Sequence, residues 1–178
     1  MIKTLVGILA VLAVSFGIAL AGSQGSIEKN GLPLFFICAS VGFILHWLIF
    51  VPSFIAQTEH YFDLTGSTSY ISTIIVAYLV HPDMDTRGLA VCVLIAIWAI
   101  RLGSFLFQRV KRDGKDRRFD VIKTNFFRYL FTWTLGGAWV FITMAAGLSV
   151  ITSDNQVALD GFFYAGVALW VFGFGIEV

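Results

Sequence analysis

Three features of this chain predict an all-α, polytopic integral membrane protein with about six transmembrane helices: charge is scarce, aromatic residues are abundant, and apolar residues gather into runs of spanning length. Charged residues make up 13% of the 178, roughly half the ~25% that a soluble domain uses to wet its surface. Mean hydropathy is +0.85, and 18 Phe, 5 Trp and 5 Tyr suit lipid-facing helices and interfacial belts better than a small soluble core. A single transmembrane helical domain over residues 1–178 follows, with no repeat, low-complexity tract or linker.

A spanning helix needs about 20 mainly apolar residues. Residues 1–21 supply the first, broken only by Lys3. The same stretch also fits a signal peptide, with Lys3 as its basic start and Ala19-Leu20-Ala21 as a cleavage site. Its apolar length exceeds the roughly 7–15 residues of a signal-peptide core and favours retention as a span. Residues 32–56 form the second run, opened by Gly31 and Pro33 and closed near Pro52. The third, 64–80, carries Thr65, Ser67, Thr68, Ser69, Ser72 and Thr73, a hydroxyl density that fits a helix facing other helices or a wet cavity. Runs at 88–107, 126–151 and 157–176 complete the set. Cys38 and Cys92 lie inside apolar runs without CxxC spacing and read as small buried hydrophobes.

The loop 108–125 sets the expected topology. It holds Arg109, Lys111, Arg112, Lys115, Arg117, Arg118 and Lys123, and with Arg128 it accounts for eight of the chain's 12 Lys and Arg. Short loops rich in Lys and Arg stay in the cytoplasm. Counting spans outward from it, both termini are expected inside as well. Asp113, Asp116 and Asp120 dilute the loop's field, and it borders the membrane, so nucleic acid is not an expected partner. No metal-ligand spacing, Walker, GxSxG or GxGxxG pattern occurs.

Arg101 lies well inside the fourth apolar run, where a lone guanidinium costs a few kcal/mol at least unless it snorkels or finds a partner. At about 100° per residue, Arg101, Gln108 and Arg112 fall within roughly 40° of one another. Such a stripe could grip phosphate oxygens bidentately. The plainer alternative is a snorkelling arginine beside ordinary positive-inside charge, and for Lys111, Lys115 and Lys123 that alternative is the better one. Arg101 is expected to point into the bundle and meet an acceptor. At the same end of the bundle the sequence collects Gln57, Glu59, His60, Tyr61 and Asp63, which read either as a polar interfacial loop or as catalytic groups. His46, beside Trp47, reads as a helix–helix hydrogen-bonder rather than a base.

The run Arg101-Leu102-Gly103-Ser104-Phe105-Leu106-Phe107-Gln108-Arg109, followed by Gly114-Lys115-Asp116-Arg117-Arg118-Phe119-Asp120, resembles the membrane family of uncharacterised proteins grouped with steroid 5-alpha-reductases, the DUF1295 type. That family shows an R-x-G-x-F-L-x-x-R helix end and a G-x-D-x-R-F loop. Residues 57–67 resemble its upstream block, and the likeness covers most of the chain from about Leu32 onward. The resemblance implies a helical reductase that binds NADPH between helices and reduces a carbon–carbon double bond conjugated to a carbonyl in a lipid or steroid-like substrate. It implies cofactor contacts from Arg101, Gln108, Arg109, Arg112, Asp116 and Arg118. It also implies catalytic roles for Gln57, Glu59 and Tyr61, although the family's Gln and Glu are neighbours and here Thr58 separates them. The family continues with an R-H-P-N-Y-x-G-E block that helps enclose the cofactor, whereas this chain ends at Gly175-Ile176-Glu177-Val178. A truncated chain with impaired cofactor binding is therefore expected.

Two other readings stay open. One is an isoprenylcysteine-type membrane methyltransferase, which shares the broader helical architecture and uses S-adenosylmethionine. The other is a non-catalytic membrane protein whose basic loop binds anionic lipid.

Overall fold

A computed structural model describes residues 2–113 and 119–177. Along them run α1 (Ile2–Gly22), a hairpin of β1 (Glu28–Lys29) and β2 (Leu32–Pro33), α2 (Leu34–Ile55), α3 (Phe62–Val80), α4 (Thr86–Asp113), α5 (Phe126–Ile151) and α6 (Gly161–Glu177). The architecture is all-α, as expected. Helices α1, α2, α4 and α5 are long and apolar enough to cross a bilayer, which marks a membrane protein. These four are among the six apolar runs expected to span. Hydroxyls dilute the apolar character of α3, and the described part of α6 is an apolar helix of 17 residues.

Helices α3 and α4 begin two residues before, and α6 four residues after, the expected runs, and the start of α2 and the end of α4 differ for local reasons. Leu32 and Pro33 belong to the hairpin rather than to α2. Asn30 (φ 53°) and Gly31 (φ 77°) form its two-residue turn, where both positions need the left-handed region that Asn-Gly tolerates. Pro33, extended at ψ 134°, then caps α2. Pro52 lies in the last turn of α2, whose end agrees with the run expected to 56. The helix continues to Ile55 and is ended by Gln57 at φ 51°. Helix α4 runs past residue 107 to Asp113, with Lys111 and Arg112 in its last turn, where cations complement the helix dipole.

The helices alternate in direction, so the loops gather at two ends. At one end the hairpin is stitched to the α5–α6 connection by Ile27 N donating to Thr152 O (2.9 Å) and Asp154 N to Gly25 O (3.0 Å). At the other, basic end, the α2–α3 loop is tied to the start of α5. Lys123 Nζ stands 2.6 Å from Glu59 Oε2, and the Tyr129 hydroxyl donates to Thr58 O at 2.6 Å.

Helix α5 is central and packs against α1, α2, α3 and α4. Gly137 lets it approach α2: a Cβ there would lie 3.0 Å from Phe43 Cα. Small residues at such crossings provide the close contact that holds helices together in lipid. Phe35, Cys38, Tyr70, Phe141, Met144 and Leu148 fill the core, and at the basic end Phe50, Phe119, Tyr129 and Trp133 form a second cluster. Cys38 and Cys92 are free thiols. Of the α3 hydroxyls, Thr65, Ser67, Ser69 and Thr73 are buried as expected, Ser72 is half-buried and Thr68 is exposed. Thr65, Ser69 and Thr73 donate to Tyr61 O, Thr65 O and Ser69 O at 2.6, 2.7 and 2.8 Å, which satisfies each within its own helix.

Candidate functional site

A cavity of about 450 Å³ opens between α2, α3, α4 and α5. Its walls are mostly apolar, with Leu102 and Leu106 from α4 and Leu135, Trp139 and Val140 from α5. Polar groups enter mainly from α2 and α3, His46, Asp63, Ser67 and Tyr70, with Thr132 of α5 besides, its hydroxyl already donating to Arg128 O. An apolar chamber with a few convergent polar groups is the usual form of a small-molecule site.

His46 is buried, and its Nδ1 lies 2.7 Å from Gly42 O. A carbonyl can only accept, so the hydrogen bond assigns the proton to Nδ1 and leaves Nε2 as the acceptor. The ring fits because position 136 is glycine, where a Cβ would come within 2.8 Å of His46 Nε2. Phe62 and Trp133 meet the imidazole edge-on and hold its plane. The Tyr70 hydroxyl is 2.7 Å from Thr143 Oγ1, and Thr143 donates its own hydrogen to Trp139 O at 2.8 Å. Tyr70 is therefore the donor of the pair, and its phenol is kept at the cavity wall. Asp63, in the first turn of α3, is 3.0 Å from Arg109 Nη2 of α4, a part-exposed ion pair.

The three catalytic residues expected from sequence do not converge on this cavity. Gln57 is exposed, and its amide donates to Phe54 O at 2.6 Å. Glu59 is buried but lies against Lys123. Tyr61 is 54% exposed. The arginine stripe divides as well. Arg101 turns to α6, where Nη1 meets Glu177 Oε1 at 2.5 Å and Nη2 meets the Glu177 carbonyl, with Trp98 Nε1 donating to the same carboxylate at 3.1 Å. It thus has the acceptor expected of it, but on α6 rather than in the cavity. Gln108 and Arg112 are exposed near the end of α4, beside Arg109. Asp116 and Arg118 lie outside the described residues.

His46 and Tyr70 are the cavity residues that sequence reading did not select. The signal for Tyr70 was present: the buried face of α3 is drawn by Thr65, Ser69 and Thr73 at four-residue spacing, and Tyr70 adjoins it. Among the described residues no three His, Cys, Asp or Glu converge as a metal site.

The family model described as "Protein of unknown function (DUF1295)" matches residues 49–178. No curated protein and no solved structure matches the chain. A match over that share of the sequence is decisive, and the chain belongs to the DUF1295 family of proteins of unknown function.

Proposed function

We propose that this protein is an NADPH-linked membrane oxidoreductase that reduces a carbon–carbon double bond conjugated to a carbonyl in a lipid or steroid-like molecule. The observation that carries the reading is the 450 Å³ cavity, apolar along α4 and α5 and hydrogen-bonding along α2 and α3, with arginine at the basic end of the bundle. The resemblance of residues 101–120 to the steroid-reductase-like pattern supports it from the sequence side.

Reduction of an enone requires hydride at the β-carbon and a hydrogen-bond donor where negative charge develops on the carbonyl oxygen. NADPH supplies the hydride when bound. The donor set near the end of α4 fits its phosphates: Gln108, Arg109 and Arg112 offer amide and guanidinium N–H groups, with Arg109 exchanging Asp63 for a phosphate oxygen. Asp116 and Arg118 join them on the resemblance. Arg101, committed to Glu177, is a poorer candidate. Inside the cavity Leu102, Leu106 and Leu135 enclose the hydrocarbon, and His46 Nε2 accepts from a substrate hydroxyl. Tyr70, buried at the wall, becomes the carbonyl donor by turning its hydrogen from Thr143 Oγ1 to the substrate oxygen, whereas Tyr61 is exposed. Gln57 and Glu59 then act on the loop that closes this end, Glu59 through Lys123. Because NADPH is cytosolic and the loop 108–125 is rich in Lys and Arg, the same reading puts this end in the cytoplasm.

The test is oxidation of NADPH by the protein, expressed from its natural gene and reconstituted in nanodiscs with an enone lipid. Tyr70→Phe is expected to lower kcat about a hundredfold, and Tyr61→Phe to change it by no more than about twofold. Equal effects of the two substitutions would reject the cavity as the site. Binding of S-adenosylmethionine in place of NADPH would reject the reductase reading altogether.

A further inference from the structure

A second and larger cavity, about 740 Å³, lies between α4, α5 and α6. Tyr70 and Trp139 form the partition between it and the first. Helix α6 buries none of its residues. It is fastened to α4 at two points, Arg87 to Asp160 (2.8 Å) near its start and Arg101 to Glu177 at its end. The space between those clasps is lined by Ile95, Trp98, Met144, Val167 and Trp170. From Arg87 to Trp98 along α4 is about 16 Å at 1.5 Å per residue. That is the depth of one leaflet's hydrocarbon, half of about 30 Å.

The chamber is mostly apolar, with the mutually bonded Tyr70 and Thr143 hydroxyls on its wall and Arg87 at one end. Arg87 Nη2 donates to Asp160 Oδ1 and, at 3.3 Å, to Ala158 O, and the guanidinium stands 5.9 Å from the centre of the Phe163 ring. Its Nε is buried and has no hydrogen-bond partner among the described residues. A buried cationic N–H without an acceptor is costly. With Nη2 engaged by Asp160 and Ala158, the Nε–H is left to meet a single carboxylate or phosphate oxygen. The neighbouring carboxylates are already engaged by backbone: Asp160 Oδ1 accepts from Phe163 N (2.9 Å), and Asp85 accepts from Gly88 N (2.7 Å) and Val157 N (3.3 Å).

We infer that this cavity is a binding site for an anionic amphiphile, with one acyl chain between α4, α5 and α6 and a carboxylate or phosphate headgroup on Arg87. Its volume lies within the roughly 300–1,000 Å³ of ordinary ligand pockets. An arginine at the first turn of α4 meets a headgroup at the membrane surface while the chain follows the helix inward. The inference does not rest on the reductase reading: the two cavities share the Tyr70–Trp139 partition, but the headgroup site at Arg87 lies at the end of α4 away from the basic loop.

Trp98, Trp139 and Trp170 line the chamber, so brominated chains report occupancy by quenching tryptophan fluorescence. The probes are dibromostearate, its lysophosphatidate analogue and its uncharged methyl ester, titrated into the detergent-solubilised protein. Saturable quenching by one or both anions, at least about tenfold tighter than by the ester and weakened to the ester's level in Arg87→Gln, is expected. Preference for the carboxylate identifies a free fatty acid as the occupant, and preference for the phosphate a phospholipid. Gly166→Leu fills the chamber from α6, where a side chain meets nothing within 4 Å, and is expected to abolish saturable quenching by every probe. Equal affinity for ester and anions, or an Arg87→Gln or Gly166→Leu protein that binds them as the wild type does, would overturn the inference.

Discussion

Replacing Lys123 with methionine should destabilise the protein through a residue 64 positions away in sequence. Lys123 Nζ lies 2.6 Å from Glu59 Oε2, with side-chain exposures of 19% and 4% respectively. Methionine keeps most of the aliphatic stem but leaves the Glu59 carboxylate in its buried setting without the lysine's charge. Removing one partner of a buried pair costs about 3–5 kcal/mol. Water reaches Lys123, which argues for the lower value, about 3 kcal/mol. For a chain of this size that corresponds to a fall of about 6–12 °C in Tm. The assay is thermal unfolding in detergent for Lys123→Met, Glu59→Gln and the double variant. In the double variant no carboxylate charge is left in the buried site, so it should recover a large part of the loss, with a coupling of about 2 kcal/mol. A loss under about 0.5 kcal/mol for Lys123→Met, or strict additivity, would refute the claim that this pair anchors the α2–α3 loop.

Gly136→Ala should cost about 1–3 kcal/mol, because its Cβ would lie 2.7 Å from His46 Cδ2, while Gly166→Ala, which meets nothing, should be neutral or stabilising; paired melting curves check both. Arg101→Gln should loosen the α6 end of the bundle, and a Val167→Cys reporter should then be labelled about tenfold faster by a maleimide, a change that an unchanged rate would contradict. Lys115→Cys in intact cells should resist an impermeant thiol reagent until the membrane is opened, and labelling from outside would reverse the proposed orientation.

Much of the fold was legible because membrane helices announce themselves by length and hydropathy. Phe126–Ile151 has the bounds its apolar run predicts. Errors arose where hydropathy and backbone geometry part company. Leu32 is apolar yet belongs to a hairpin set by Asn30-Gly31, and residues 108–113 are polar yet remain helical. The candidate site was less legible. In helices as uniformly apolar as α2 the inward face carries almost no periodic signal, so His46 could not be assigned to a cavity wall. Glu59 lies in the loop where sequence put catalytic groups, but its partner comes from the segment before α5. Arg101 and Arg109 read as one basic end, yet α4 presents them to α6 and α3 respectively. Such pairings exist only once the helices are assembled.

The reductase reading stands on transfer of a hydride inside the bundle, and isotope transfer measures that directly. NADPH deuterated at the transferable position of its nicotinamide ring is incubated with the reconstituted protein and an enone lipid, and the product is analysed by mass spectrometry and NMR. Deuterium on the β-carbon is the expected result, appearing about a hundredfold more slowly with Tyr70→Phe and at close to the wild-type rate with Tyr61→Phe. A product without deuterium, or no product while the protein remains folded, would contradict the assignment.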